Sequence, residues 1–278
     1  METLIVSFSQ TGNTRKVGRA MAEAMAEAGF VVRTISFKKV TAEDFLAADL
    51  IGVGAPCFES QAPTPVRDFL VGLPDLKGRR AFVFATAGGA PGRVLWDMAR
   101  PLKQRGAEVL GGFLCRGTCY HPIPCLVGRF PERPDETDLE KARRFAASVA
   151  EMVQGDDPRS VPAENRLETL NPGLGLYDIA GLALKDPLIR FLMPKPRVDS
   201  DACDQCGWCV HECPTASIIL HSTPEIGGQC IRCYRCLTGC PKNAFSVNWW
   251  FSNPVVWSLY NQTFEHWFGD IRKGERVY

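Results

Sequence analysis

Eight of the twelve cysteines fall into two runs of identical spacing, Cys203-x2-Cys206-x2-Cys209-x3-Cys213-Pro214 and Cys230-x2-Cys233-x2-Cys236-x3-Cys240-Pro241. Thiolates are soft ligands, and three of them at three-residue steps wrap a turn of chain around one corner of an iron–sulfur cubane, leaving the fourth iron open. The fourth thiolate, followed by a proline that ends local pairing, must arrive from elsewhere. With two runs, each supplies the other's missing ligand. Cys203, Cys206, Cys209 and Cys240 would hold one cluster, and Cys230, Cys233, Cys236 and Cys213 the second. Structural zinc would instead use two pairs of ligands. A disulfide framework would need an oxidising compartment, and Met1-Glu2-Thr3-Leu4 runs straight into a strand-like segment with no signal-peptide pattern.

The second run repeats the first at an offset of 27 residues (Cys203 to Cys230), which suits two ββ-type half-units about a pseudo-dyad. Over roughly residues 199–247 the chain resembles the two-[4Fe–4S] bacterial ferredoxins. That resemblance implies a small α+β ferredoxin-like domain.

A second chemistry-bearing segment lies near the amino terminus. The apolar run Thr3–Phe8 is followed by Ser9-Gln10-Thr11-Gly12-Asn13-Thr14 and then by a helical pattern to about Ala28. A loop rich in hydroxyls between strand and helix is a phosphate cradle, with backbone N–H groups and the helix dipole facing the anion. It lacks the Gly-Lys-Ser/Thr ending of a nucleoside-triphosphate loop and the three glycines of a dinucleotide fingerprint. What remains is a terminal monophosphate held by hydroxyls and amides. On this motif, residues 1–154 resemble a flavodoxin. The resemblance implies FMN, with its phosphate on Ser9–Thr14 and its ring between two further loops, at Ala55, Pro56, Cys57 and Phe58 and at Ala87, Gly88, Gly89 and Gly92. Phe58 either stacks on the ring or packs on its own domain. The third loop has no aromatic where several flavodoxins carry one, so one flavin face is expected to be open, with Tyr120 as a substitute or an ordinary tyrosine.

The elements that must position these loops alternate along the chain. Strands are expected at 3–8, 31–36, 49–54, 80–86 and 108–115, and helices from just after Thr14 to about 28 and at 65–72, 93–106 and 137–154. Such alternation implies a flavodoxin-like, doubly wound, five-stranded parallel sheet with its ligand beyond the strand C-termini. Residues 155–198 read as a linker with short packing helices, and 248–278 as an aromatic-rich extension that covers a cluster or seam, or else meets a partner or substrate. Cys57, Cys115, Cys119 and Cys125 match no ligand spacing and read as buried thiols, Cys57 being the one beside the expected flavin. His211, inside the first run, either bonds a cluster sulfur or is simply exposed.

With 23% charged residues and net charge +1, nothing points to nucleic acid. No uncharged apolar stretch reaches the length of a membrane span, and free thiols suit a reducing cytoplasm, that of an anaerobe fitting best. The architecture as a whole looks like the ferredoxin-fused flavodoxins of anaerobes. FMN and two [4Fe–4S] clusters on one chain imply an electron-transfer flavoprotein that exchanges single electrons with ferredoxin-level donors and passes them to a partner redox protein or enzyme. Two other functions stay open: an FMN-dependent reductase of a small molecule such as a quinone, enoate or corrinoid, and an activation subunit docking on an oxygen-sensitive oxidoreductase. No acid–base pair or nucleophile triad stands out, which favours the relay.

Overall fold

In the computed structural model, residues 1–89, 91–155, 162, 165, 166 and 191–258 are described. The amino-terminal part is built on five parallel strands, β1 (Glu2–Ser7), β2 (Val31–Ser36), β3 (Leu50–Pro56), β4 (Arg80–Ala87) and β5 (Glu108–Arg116). Their order is β2-β1-β3-β4-β5, so the chain turns outward in opposite directions from β1 and β3. Between them run α1 (Asn13–Glu27), α2 (Ala42–Ala47), α3 (Thr64–Val71) and α4 (Val94–Gln104), with α5 (Glu136–Gly155) after β5. This is the doubly wound, flavodoxin-like sheet that the alternation implies.

Side-chain alternation along each strand divides two cores between the faces of the sheet. Leu4, Val6, Ile51, Val53 and Val83 pack with Val66, Leu70 and Met98 of α3 and α4. Ile5, Phe82, Phe84 and Phe113 meet Val17 and Met21 of α1 and Phe145 and Val149 of α5. Gly52 and Gly54 are required on that second face, because a Cβ at either would run into the rings of Phe82 and Phe84. Helix α2 was not expected from the sequence. Its six residues bury only Phe45, and a capping box joining Thr41 and Asp44 starts it.

The carboxyl-terminal part repeats itself. β6 (Arg197–Val198), α6 (Trp208–Glu212) and β7 (Ile218–Leu220) recur 27 residues on as β8 (Pro224–Ile226), α7 (Arg235–Gly239) and β9 (Phe245–Ser246). β6 pairs with β9 and β7 with β8, both antiparallel, so each half supplies one strand to each hairpin-like pair. α8 (Ser252–Trp257) follows. Most of the stretch expected to be a linker, including nearly all of Leu174–Met193, and the tail beyond residue 258 lie outside the described residues.

Candidate redox site at the strand ends

Beyond the C-terminal ends of β1, β3, β4 and β5 lies an open cleft. The sheet places it at the crevice where strand order reverses, which is where open α/β sheets take ligands. Ser9, Gln10, Thr11, Asn13 and Thr14 line one wall. Gly12 sits at the N-cap of α1 with φ of 104°, a left-handed conformation that glycine adopts without strain. The loop is tied down from both sides: the hydroxyls of Thr14 and Thr86 lie 2.8 Å apart, and Asn13 Nδ2 donates to the Thr118 carbonyl at 3.1 Å. Backbone approach is close on the far wall. A Cβ on Gly88 would come within 2.7 Å of Cys119 Cβ, and one on Gly117 within 2.9 Å of Asn13 Nδ2.

The second loop turns back on itself. Phe58 and Gln61 exchange both backbone hydrogen bonds at 2.9 Å, and Glu59 and Ser60 between them hold positive φ, as a two-residue hairpin turn demands. Gly92 packs against that turn, where a Cβ would strike the Ser60 carbonyl. Buried Asp97 accepts from Ala62 N at 3.1 Å and pairs with Arg93, anchoring the loop to α4. Pro56, Cys57, Phe58, Ala87, Gly88 and Gly89 face the cleft, whereas Ala55 is buried in β3 and Gly12 and Gly92 act through backbone conformation. Phe58 both lines the cleft and packs edge-on against Phe8, ring centroids 6.3 Å apart. The Cys57 thiol donates to the Pro91 carbonyl at 3.4 Å, and burial pushes it far above the usual thiol range, so it stays protonated. Tyr120 is half exposed on the rim.

Sequence reasoning missed the remaining wall. His121 and Leu126 from the loop after β5, together with Met193, Arg232 and Cys233, complete the cleft. Cys233, expected as a cluster ligand, therefore borders the same space as the phosphate loop, and its carbonyl accepts from Gln10 Nε2. A seam of Ile123, Leu126, Met193, Tyr234 and Val256 holds the two parts together. Tyr234 donates to the Pro194 carbonyl at 2.8 Å and stacks edge-on with His121 and Trp249, with centroids at 4.9 and 5.1 Å. Cys125 N donates to Asn253 Oδ1, and Lys38 Nζ to the His211 carbonyl. His211 is exposed and pairs with Glu212.

The cysteines gather in the crossed sets. Cys203, Cys206, Cys209 and Cys240 line one small cavity. The Cys209 thiol is raised by burial and then by its neighbours Cys203 and Cys240. Cys236 is raised to about 12, by burial first and then by Cys233, Cys230 and Cys213. The two closing cysteines have matched donors: Ser217 N reaches Cys213 Sγ at 3.2 Å, and Ala244 N reaches Cys240 Sγ at 3.4 Å. Such N–H···S bonds stabilise negative charge on a ligating sulfur. Among the described residues no three His, Cys, Asp or Glu side chains converge as ligands of a single metal ion would. The gathered thiols and their matched backbone donors fit a cubane.

Residues 196–219 match the 4Fe-4S binding domain family, and they contain the first cysteine run. A flavodoxin of Megasphaera elsdenii is 29% identical over 110 residues, covering 38% of this chain and 80% of that protein. An uncharacterized protein of Methanocaldococcus jannaschii is 28% identical over 140 residues, 49% of this chain and 89% of its own length. The solved structure of a flavodoxin from the domain Archaea aligns with TM-score 0.45 at 22% identity, over 55% of this chain and 99% of that one.

Proposed function

We propose that this chain, a flavodoxin-like domain joined to a ferredoxin-like one, is an electron-transfer protein that carries FMN in the strand-end cleft and a [4Fe–4S] cluster in each crossed cysteine set. The flavin would supply a centre able to trade one or two electrons, and each cluster a one-electron centre. Ser9–Thr14 would bind the phosphate through hydroxyls and amides, and the loops at 56–59 and 87–89 would flank the ring. The domains would run 1–154 and 199–247, with 155–198 as the join and 248–278 as the extension.

One observation carries the reading: Cys233 and Arg232 of the second run form part of the cleft wall. A cluster on Cys213, Cys230, Cys233 and Cys236 would therefore lie beside the flavin, and electrons would pass between them within one chain. The first set opens outward, with Cys206 exposed, and suits exchange with an external ferredoxin or an oxygen-sensitive oxidoreductase. Among the described residues no helix is long and apolar enough to cross a membrane. The relay would operate in the cytoplasm, where thiols stay reduced.

Anaerobic reconstitution tests the cofactors. About eight iron, about eight sulfide and one FMN per chain are expected. Zinc in place of iron, or an amino-terminal domain that ignores FMN, would reject the reading.

A further inference from the structure

One bond joins the phosphate loop to a cluster ligand 223 residues away in sequence: Gln10 Nε2 donates to the Cys233 carbonyl. The helix end of that loop is fixed within its own domain, by the Thr14–Thr86 hydroxyl pair and by Asn13 on the Thr118 carbonyl. Its strand end is held differently. Ser9 Oγ accepts from Arg15 N at 3.3 Å, long for such a bond, while the Gln10 side chain leaves the loop for the other domain. Gln10 and Cys233 are both half-buried, and both line the cleft.

The segment that Gln10 reaches has little of its own to hold it. Helix α7 has five residues and buries only Cys236, just as α6 buries only Cys209. Around them the buried core is Ile218, Ile226 and Phe245, with the other cysteines packed against it. A part built this way depends on its metal centres to fold, because such ligand sets are rarely preformed in an unfolded chain. Cys233 lies just ahead of α7, between Arg232 and Tyr234 at positive φ and outside any helix or strand. Its carbonyl therefore takes a side-chain donor. Cys206, the equivalent residue of the first run, is exposed.

We infer that Gln10 is a positioning residue that couples the two cofactor sites: FMN in the cleft favours the ligating form of the second cysteine run, and the cluster in that run favours FMN. The inference rests on the flavin and cluster reading above and deepens it, since it makes the loading of one site depend on the other. With a phosphate on Ser9–Thr14 the strand end of the loop is ordered, and Gln10 meets Cys233 at a lower entropic cost. Coupling between sites is reciprocal, so a cluster that fixes Cys233 raises FMN affinity by the same factor. A single net hydrogen bond limits that factor to a few-fold.

The test loads the full chain with both clusters under anaerobic conditions and divides it into FMN-free and FMN-saturated samples. Iron release to bathophenanthroline disulfonate, an iron(II) chelator, is then followed in each. Release should run in two phases of about four iron each. Saturating FMN should slow one phase by about three- to tenfold, and that phase should persist in Cys206→Ser, which lacks the first cluster. Gln10→Met has nearly the same length and no donor, and in it saturating FMN should leave both phases unchanged. Gln10→Lys restores a donor of sufficient reach and should recover part of the slowing. The coupling is overturned if FMN changes neither phase in the wild type, or if it slows the phase that Cys206→Ser removes. Equal slowing in Gln10→Met would overturn it too, since FMN would then merely shield the cluster. A chain that takes up no FMN, or no iron, is a separate result that removes the electron-transfer reading and the coupling together.

Discussion

The two cysteine runs are equal in spacing and unequal in surroundings. Both halves place residues at positive φ in the same three places: Gln205, Gly207 and Ala216 in the first, Arg232, Tyr234 and Asn243 in the second. At the middle position the first run uses glycine, the residue that tolerates this conformation. The second run holds a tyrosine there, in a region where side chains are strained. Tyr234 is nearly fully buried, and its packing on His121 and Trp249 and its bond to Pro194 offset the strain. The first run is left open, with Cys206 exposed, while the second forms a wall of the cleft. Repetition of a ligand motif thus provides two similar cysteine sets, and the residues between the cysteines leave one set open to solvent and the other against the amino-terminal domain.

The comparison breaks most visibly at the ligands themselves. Cys206→Ser and Cys233→Ser should each cost one cluster, lowering iron from about eight to about four per chain. Only Cys233→Ser should also abolish passage of electrons to the flavin when a small, freely diffusing reductant serves both variants. Next in size is the seam. Tyr234→Ala should destabilise the protein by about 3–4 kcal/mol in denaturant unfolding, since a large buried ring is lost. Gly207→Ala at the equivalent position should cost only about 1 kcal/mol, the cost of an alanine in the left-handed region. Gly239→Ala places a Cβ against the Trp208 ring, which itself lies under the Arg235 guanidinium at 4.9 Å. Overpacking there should cost about 1–3 kcal/mol. Lys38→Ala removes the bond to the His211 carbonyl and should change stability by less than about 1 kcal/mol.

The parallel sheet is legible because β1, β3 and β4 carry apolar runs and the longer helices carry one-sided patterns, while the edge strand β2 (Val-Val-Arg-Thr-Ile-Ser) is marked by its β-branched residues. Val31–Ser36 was read with its observed limits, and the other strands shifted by a residue or two at their ends. Helix α2 was not legible, being short and burying a single phenylalanine, although Thr41 and Asp44 three residues apart were its signal. The phosphate loop and the cysteine runs announce themselves because their chemistry requires fixed spacing. Arg232 stands at a position the ligand spacing leaves unspecified, and His121, Leu126 and Met193 lie on irregular chain with no periodicity to mark a buried face. What brings them together is the packing of one domain on the other, and a reading of separate motifs does not contain it.

In the proposed relay the second cluster and the flavin face each other within one molecule. Anaerobic rapid mixing with a ferredoxin-level donor in large excess, over a range of protein concentrations, tests it most directly. Flavin bleaching should follow cluster reduction at a rate that does not change with protein concentration. A rate that rises in proportion to protein concentration would mean that electrons reach the flavin from another molecule, and would contradict it.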